Sequence, residues 1–329
     1  MGSVGILGYG YYLPELIMTN HELAIRFGKT ENWIEERTGI KERRIAKYNT
    51  ATSDLAIKAA LAAIEKANLL PEDIDLIIVA TTTPDMIFPS TACLVQNGIG
   101  ACNAAAFDIS AACTGFIYGL DTAVSYVSSG QYNNVLLVGA DTYSKITNHN
   151  DINTSILFGD GAGAVVVGKV PEGFGVLGSI MGADGSGADL LKVPAGGSRQ
   201  PLTHGLLDNR LNTIVMNGRE VFQFAIRIFE NMINQIIDKT RLTMEDISLI
   251  IPHQANKRIL AAVSEKLKIP PEKMYCNIEY YGNMSSASIP VALSEACNND
   301  KIKKGDILLF VGFGAGLTWG TSLIKWYDR

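Results

Sequence analysis

Three side chains with the chemistry of acyl transfer stand at breaks between apolar runs and helical patterns. They are Cys113 in "FDISAACTGF", His253 in "ISLIIPHQAN" and Asn283 in "YYGNMSSASIP". A thiolate attacks thioesters, and a helix N-terminus favours the thiolate over the thiol. Cys113 is flanked by Ala111, Ala112, Thr114 and Gly115, small enough for a sharp strand-to-helix turn and close approach of a substrate. Cysteine is also a good core filler, so the residues alone leave Cys113 open between packing and nucleophile. Cys93, Cys102, Cys276 and Cys297 lack such a turn and read as structural.

His253 closes an apolar strand just before a helix, where α/β proteins place ligands. His21, at a helix start, and His149 and His204, in polar segments, have no comparable support. Asn283 follows the turn-permitting Gly282, and its amide can donate to a developing oxyanion, as can His253 Nε2 when protonated. The segment "GFGAGLTWG" from Gly312 offers accessible backbone N–H groups, that of Ala315 among them. It lacks the Lys-Ser/Thr ending of a phosphate loop and lies near the C-terminus with no following βαβ unit.

The elements that must position these groups alternate along the chain. Apolar runs from Asp75, Asn134, Gly161, Ile247 and Asp306 read as strands. Helical spacing recurs in "SDLAIKAALAAIEKANL", "TGFIYGLDTAVSYVSS", "REVFQFAIRIFENMINQIIDK" and "NKRILAAVSEKLK". This is α/β architecture, with helices packed on sheets. It is also written twice. "EKANLLPEDIDLIIVATTTPD" matches "DKTRLTMEDISLIIPHQANKR", so Ile74 falls on Ile247 at an offset of 173, and "NVLLVGA" matches "DILLFVG" at 172. The offset predicts two halves, 1–174 carrying Cys113 and 175–329 carrying His253 and Asn283. At 172, Cys113 falls on Ser285, so two equivalent turns are expected to face each other. The Gly-rich stretch "GSIMGADGSGADLLKVPAGGSRQP" between the halves reads as loop.

Composition narrows the class. The chain has 329 residues, 28 Lys+Arg against 33 Asp+Glu, a formal charge of -5, and 47 % hydrophobic residues. That suits a folded protein with no bulk attraction for nucleic acid. Five cysteines, an odd number without a CxxC pair, point to free thiols, a reducing compartment and no zinc site. No apolar run approaches about 18 residues and the first residues do not form a signal peptide, so a cytoplasmic location without membrane insertion is expected.

The ordered set "WIEERTGIKERR", "TTTPDMIFPSTACLVQ", "DISAACTGF", "LFGDGAGA", "GREVFQFA", "PHQANKRI", "YYGNMSSAS" and "GFGAGLTWG" runs through nearly the whole chain. It resembles the thiolase-fold condensing enzymes, and most closely the β-ketoacyl-acyl-carrier-protein synthase III family. The resemblance implies a thiolase-like fold, with duplicated halves in a layered αβαβα arrangement. It implies that Cys113 is acylated by a short acyl-CoA, and that His253 and Asn283 bind the malonyl thioester and stabilise the enolate formed as CO2 leaves. The oxyanion would rest on the backbone N–H groups of Cys113 and Ala315. Trp33, Arg37, Arg219 and the position of Ile152 would bind CoA, with the Trp33 indole stacked on adenine. Phe88 would close the acyl pocket of a neighbouring subunit, which implies a homodimer. Lys257 and Arg258, extended by Lys266 and Lys268, would dock acyl carrier protein. No metal and no cofactor beyond the thioester substrates is implied. Ile152 stands where the family usually has an arginine beside the tryptophan, which leaves a specialised condensing enzyme or acyltransferase of a secondary pathway as the alternative.

Overall fold

The computed structural model describes residues 3–328. The strands of the first half are β1 (Ser3–Tyr12), β2 (Leu16–Thr19), β3 (Glu42–Ile45), β4 (Leu76–Ala80), β5 (Ala105–Ile109), β6 (Val135–Thr142) and β7 (Asp160–Val170). Those that follow are β8 (Gly175–Ala183), β9 (Leu191–Lys192), β10 (Val215–Met216), β11 (Leu249–Pro252), β12 (Ile307–Gly314) and β13 (Thr318–Lys325). One sheet runs β1-β7-β6-β4-β5; the other, written from the same side, runs β8-β13-β12-β11. In each, the last helix-connected strands pair in parallel and the rest antiparallel. The fifth position of the second sheet is reduced to one parallel bridge, Ile250 to Met274.

Helices α1 (Asn20–Phe27), α2 (Glu31–Thr38), α3 (Thr52–Lys66), α4 (Thr91–Ile99), α5 (Gly115–Ser128) and α6 (Ile152–Ser155) belong to the first half. Helices α7 (His204–Asp208), α8 (Gly218–Thr240), α9 (Lys257–Leu267), α10 (Ile278–Tyr281) and α11 (Ser288–Asn298) follow. Their apolar faces decide the layers. Leu55, Ala59 and Ala63 of α3 and Val95 of α4 pack with Ile77, Val79 and Val138 on one face of the first sheet. Phe116 and Leu120 of α5 and Ile289 and Leu293 of α11 are buried between Ile78 and Leu137 of that sheet and Ile251 and Phe310 of the other. Phe229, Ile233 and Ile236 of α8 and Val263 of α9 cover Ile250, Leu309 and Leu323. The order is therefore helices, sheet, helices, sheet, helices, the expected αβαβα arrangement. The two helices at the centre are apolar nearly all round because both faces are covered.

The Gly-rich stretch between the halves is not simply a loop. Its beginning is β8, the edge strand of the second sheet, paired with β13. Glycine is used there for close packing: a Cβ on Gly182 would stand 2.5 Å from the Trp319 ring. Glycine also lets the halves meet. A Cβ on Gly139 of β6 would stand 2.4 Å from the Ser286 carbonyl oxygen, and one on Gly163 of β7 would stand 2.7 Å from Val291 N. The start of α11 thus presses onto the first sheet at backbone distance.

Candidate active site

Cys113 lies in a 3-10 turn, Ala112–Thr114, that runs directly into α5. Ala112 has φ +46°, so the chain doubles back before the helix and brings Cys113 to its N-terminus. The corresponding turn of the second half is Ser285–Ala287, leading into α11, with Ser285 at φ +50°. The left-handed residues Ala112 and Ser285 are therefore mates, and Cys113 corresponds to Ser286 rather than to Ser285. The insertion that shifts the offset from 173 to 172 falls after the turn, not before it.

Cys113 is 5 % exposed, and a Cβ on Gly314 would stand 2.9 Å from its backbone nitrogen, so β12 passes directly over it. Burial pushes the thiol up to about 12, with a hydrogen bond from Ser285 acting against it and the charge of Asp141 adding to it. This differs from the depressed value expected at a helix N-terminus, because loss of water outweighs the helix field when the thiol is enclosed.

The second half brings three groups to the same place. His253, 1 % exposed, follows β11, and its backbone N–H donates to Val311 O at 2.7 Å. Phe313 meets its ring edge-on at 5.8 Å, and Nδ1 has no hydrogen-bond partner. Burial holds the imidazole neutral, lowering it to about 3. Asn283 is held by Leu157 and Gly159 on either side of a parallel bridge to Phe158. Its Oδ1 accepts from Ser285 N at 2.9 Å, which fixes the amide and leaves Nδ2 without a protein acceptor among the described residues. Behind it, Gln254 accepts from Asn277 N and Ile278 N and donates to Pro252 O and Tyr275 O, locking the approach to α10. The third group is the hairpin turn at Ala315. Its φ is not positive, as an Ala at this position requires, and its N–H donates to no acceptor among the described residues, while the N–H of Cys113 is turned toward that residue's own sulfur.

Cys113, His253, Asn283 and Gly314 line one cleft of about 820 Å³ that opens past Trp33, Arg37, Ile152, Arg219 and Arg258. At the mouth the Arg37 guanidinium lies 4.2 Å from the Trp33 ring centroid, with Lys29 Nζ at 5.3 Å on the same indole. Ile152 opens α6 and packs in one apolar cluster with Trp33 and Met216. The indole therefore keeps a cationic neighbour, supplied by Arg37, while Ile152 gives the facing wall a purely apolar surface. Lys257 and Arg258 are exposed on the first turn of α9, but Lys257 bonds Glu279 at 3.4 Å. Lys266 pairs with Glu230 at 2.6 Å, so it adds less free charge to the patch than its sequence position suggests. Phe88 is 82 % exposed on the loop after β4 and is not a core residue. Cys93, Cys102 and Cys276 are exposed surface thiols and Cys297 is half-buried, none of them lining the cleft. His21 bonds Glu31, His149 bonds Ser144 O, and neither lines the cleft, nor does His204. Among the described residues no three His, Cys, Asp or Glu side chains gather as a metal site, and no helix is long and apolar enough to cross a membrane.

Several residues of the site carry no local signal in the sequence. Tyr143, Phe158 and Phe313 line the cleft beside Cys113. Arg43, fully buried, donates to Met18 O, to Asn20 Oδ1 and, at 2.8 Å, to Ile156 O, and so holds the segment that pins Asn283. The hydroxyl-rich runs "TTT" at Thr81 and "SSAS" at Ser285 are the trace that a buried polar network leaves in the sequence.

The family model described as 3-oxoacyl-[acyl-carrier-protein (ACP)] synthase III matches residues 107–185, and its C-terminal counterpart matches residues 237–326. A beta-ketoacyl-[acyl-carrier-protein] synthase III of Caldanaerobacter subterraneus subsp. tengcongensis is 56 % identical over 98 % of both chains. This chain belongs to that family. The enzyme of the same name from Clostridioides difficile is 55 % identical, again over 98 % of both chains. The crystal structure of the family's Aquifex aeolicus VF5 member superposes with a TM-score of 0.91 at 47 % identity, covering 98 % of this chain and 100 % of that one. The thiolase fold and the synthase III class of condensing enzyme thus agree with the layered architecture and with the cleft.

Proposed function

We propose that the protein condenses a short acyl-CoA with malonyl-acyl carrier protein, releasing CoA and CO2 and forming the 3-oxoacyl-acyl carrier protein that starts fatty-acid synthesis. The observation that carries this reading is the convergence of Cys113, His253 and Asn283 in one cleft, with the Asn283 amide oriented to donate inward. Cys113 takes the acyl group from CoA. Malonyl thioester then binds with its carbonyl on Asn283 Nδ2 and His253 Nε2. Loss of CO2 leaves an enolate whose charge those donors hold, and its carbon attacks the Cys113 thioester. The tetrahedral oxyanion rests on the backbone N–H groups of Cys113 and Ala315. Decarboxylation generates the carbanion, so no carboxylate base beside the substrate is required. A neutral His253 suits this role, because it donates one hydrogen bond without adding a charge that would need a counter-ion.

The cleft mouth supports the substrate assignment. Trp33, Arg37, Ile152 and Arg219 form a half-apolar, half-cationic entrance suited to an adenine and phosphates, and Arg258 with Lys257 offers positive charge to an acidic carrier. The exposed Phe88, on the loop between β4 and α4, suits insertion into a second copy of the chain, and β5 leaves an edge of the first sheet to pair with it, hence a homodimer. The repeated sheet order supports two related halves, 1–174 and 175–329, and five unpaired thiols suit the reducing cytoplasm. The reaction draws on its thioester substrates without a further cofactor. The test is mass spectrometry of the protein with acetyl-CoA, then CO2 release on adding malonyl-acyl carrier protein. An acetyl adduct on Cys113 followed by malonyl-dependent CO2 is expected; a protein that takes no acyl group at Cys113 overturns the proposal.

A further inference from the structure

Beside Cys113 the two halves are joined by a pair of threonine hydroxyls that take no part in the condensation. Thr114, fully buried, stands at the N-cap of α5 in the first half. Thr318 opens β13 in the second half, where the hairpin turn that carries Ala315 ends. Their Oγ1 atoms lie 2.7 Å apart, although the residues are 204 positions apart in the chain. Thr114 Oγ1 donates to Ala111 O at 2.6 Å. Thr318 Oγ1 lies 3.0 Å from Ala315 O and 3.3 Å from Ala111 O. With the Thr114 hydrogen on Ala111 O, the Thr114 lone pair takes the Thr318 O–H, which Ala315 O shares. A carbonyl from each half and the two hydroxyls thus form one cluster.

The rest of each turn is fixed within its own half. Thr114 N donates to Ala111 O at 3.1 Å, and Leu317 exchanges both backbone hydrogen bonds with Asp184 at 2.8 Å. Gly314 packs on the Cys113 backbone, but packing contact sets no angle between the turns. Among the described residues, every hydrogen bond between the Ala111–Thr114 turn and the Ala315–Thr318 hairpin runs through the Thr318 hydroxyl. Both carbonyl oxygens approach that one hydroxyl. Without it, the negative ends of two peptide dipoles face each other and the turns part.

We propose that Thr318, acting through Thr114, is a positioning residue for the oxyanion: it sets the gap between the N–H groups of Cys113 and Ala315. The proposal rests on the reading of Cys113 as the acylated residue. Two donors hold one oxygen well only when both stand about 2.7–3.1 Å from it. Here they come from different halves, so the covalent chain does not set their separation. The hydroxyl pair does, because it ties the carbonyl of Ala315 to the carbonyl two residues before Cys113.

Thr318→Val keeps the β-branch and removes the hydroxyl. Two reactions of the same thiol are compared on the intact protein: acetylation by acetyl-CoA and alkylation by iodoacetamide. Acetylation passes through a tetrahedral adduct with a charged oxygen, whereas alkylation displaces iodide in one step and makes no oxyanion. Acetylation is expected to fall by roughly 10²-fold, with alkylation and primer-independent CO2 release from malonyl-acyl carrier protein within about twofold of wild type. Thr318→Ser, which keeps the hydroxyl, recovers most of the lost acetylation rate. Thr114→Val removes the partner hydroxyl from the other half and lowers acetylation without lowering alkylation, so the test stands even if one valine disturbs its own turn. A Thr318→Val protein that acetylates at the wild-type rate, or loses alkylation in the same proportion, overturns the proposal. So does a serine variant no better than the valine one. Wild-type protein that takes iodoacetamide at Cys113 but no acetyl group from acetyl-CoA overturns the functional reading, and the positioning role falls with it.

Discussion

At the end of β6 stands Asp141 in a mesh of threonine and serine hydroxyls; at the same place in β12 stands Phe313, its ring edge-on to His253. The turns before the two central helices match in backbone, yet one presents Cys113 and the other Ser286. The strand β4 ends at Ala80, where the equivalent position after β11 is His253. The difference is a division of labour on one backbone design. The first half keeps a negative charge satisfied behind Cys113, while the second keeps a ring uncharged by surrounding it with apolar atoms. This is possible because sheet and helix saturate their own backbone groups, so strand-end side chains vary without cost to the frame.

The comparison predicts that the two half-reactions can be broken separately. Cys113→Ser should abolish the acetyl adduct and lower overall condensation by about 10³-fold or more, read by mass spectrometry and product formation. An adduct at Ser286 or full activity would mean that the mates are interchangeable. Asn283→Ala should lower CO2 release by roughly 10²-fold while the acetylation rate stays near wild type.

The apolar setting of His253 gives a pH prediction. Its folded value is depressed from 6.5 to about 3, so the unfolded chain binds a proton that the folded ring refuses. The contribution is fully present above pH 6.5 and is lost as pH falls from 6.5 toward 3, on the order of 5 kcal/mol across that range. Denaturant titrations of wild type and His253→Gln should differ in slope against pH over that window. CO2 release should show no step near pH 6.5 from this residue, and a step there that disappears in His253→Gln contradicts a neutral, enclosed imidazole.

The smallest effect is expected at Ser286→Ala. It removes the 2.6 Å bond to the buried carboxylate and should cost about 1–3 kcal/mol, seen as a lower denaturation midpoint, with both half-reactions largely kept.

The repeat, the strand ends and the three principal side chains were legible because periodicity and turn residues are local features. The pairing of Cys113 with Ser286 was not, since an offset read from strands cannot tell on which side of a turn one residue was gained. Strand β8 was hidden by its glycines, which answer to distant neighbours, Gly182 to the Trp319 ring, Gly178 to Thr240 and Gly175 to Val4, and not to any local preference. Tyr143 and Asp141 were hidden for a different reason. They touch Ser285 and Ser286 from far along the chain, and nothing local distinguishes "GADTY" from any other strand end.

The backbone-distance contact of Gly139 and Gly163 with Ser286 and Val291 has a consequence for assembly of the chain. The groove those glycines leave belongs to the first sheet, and only the second half can fill it. Asn283, three residues before Ser286, reaches its place only when that filling is complete. The complete cleft therefore belongs to neither half: Cys113 comes from one and His253 and Asn283 from the other, and the same close fit that joins the sheets and helices brings the three together.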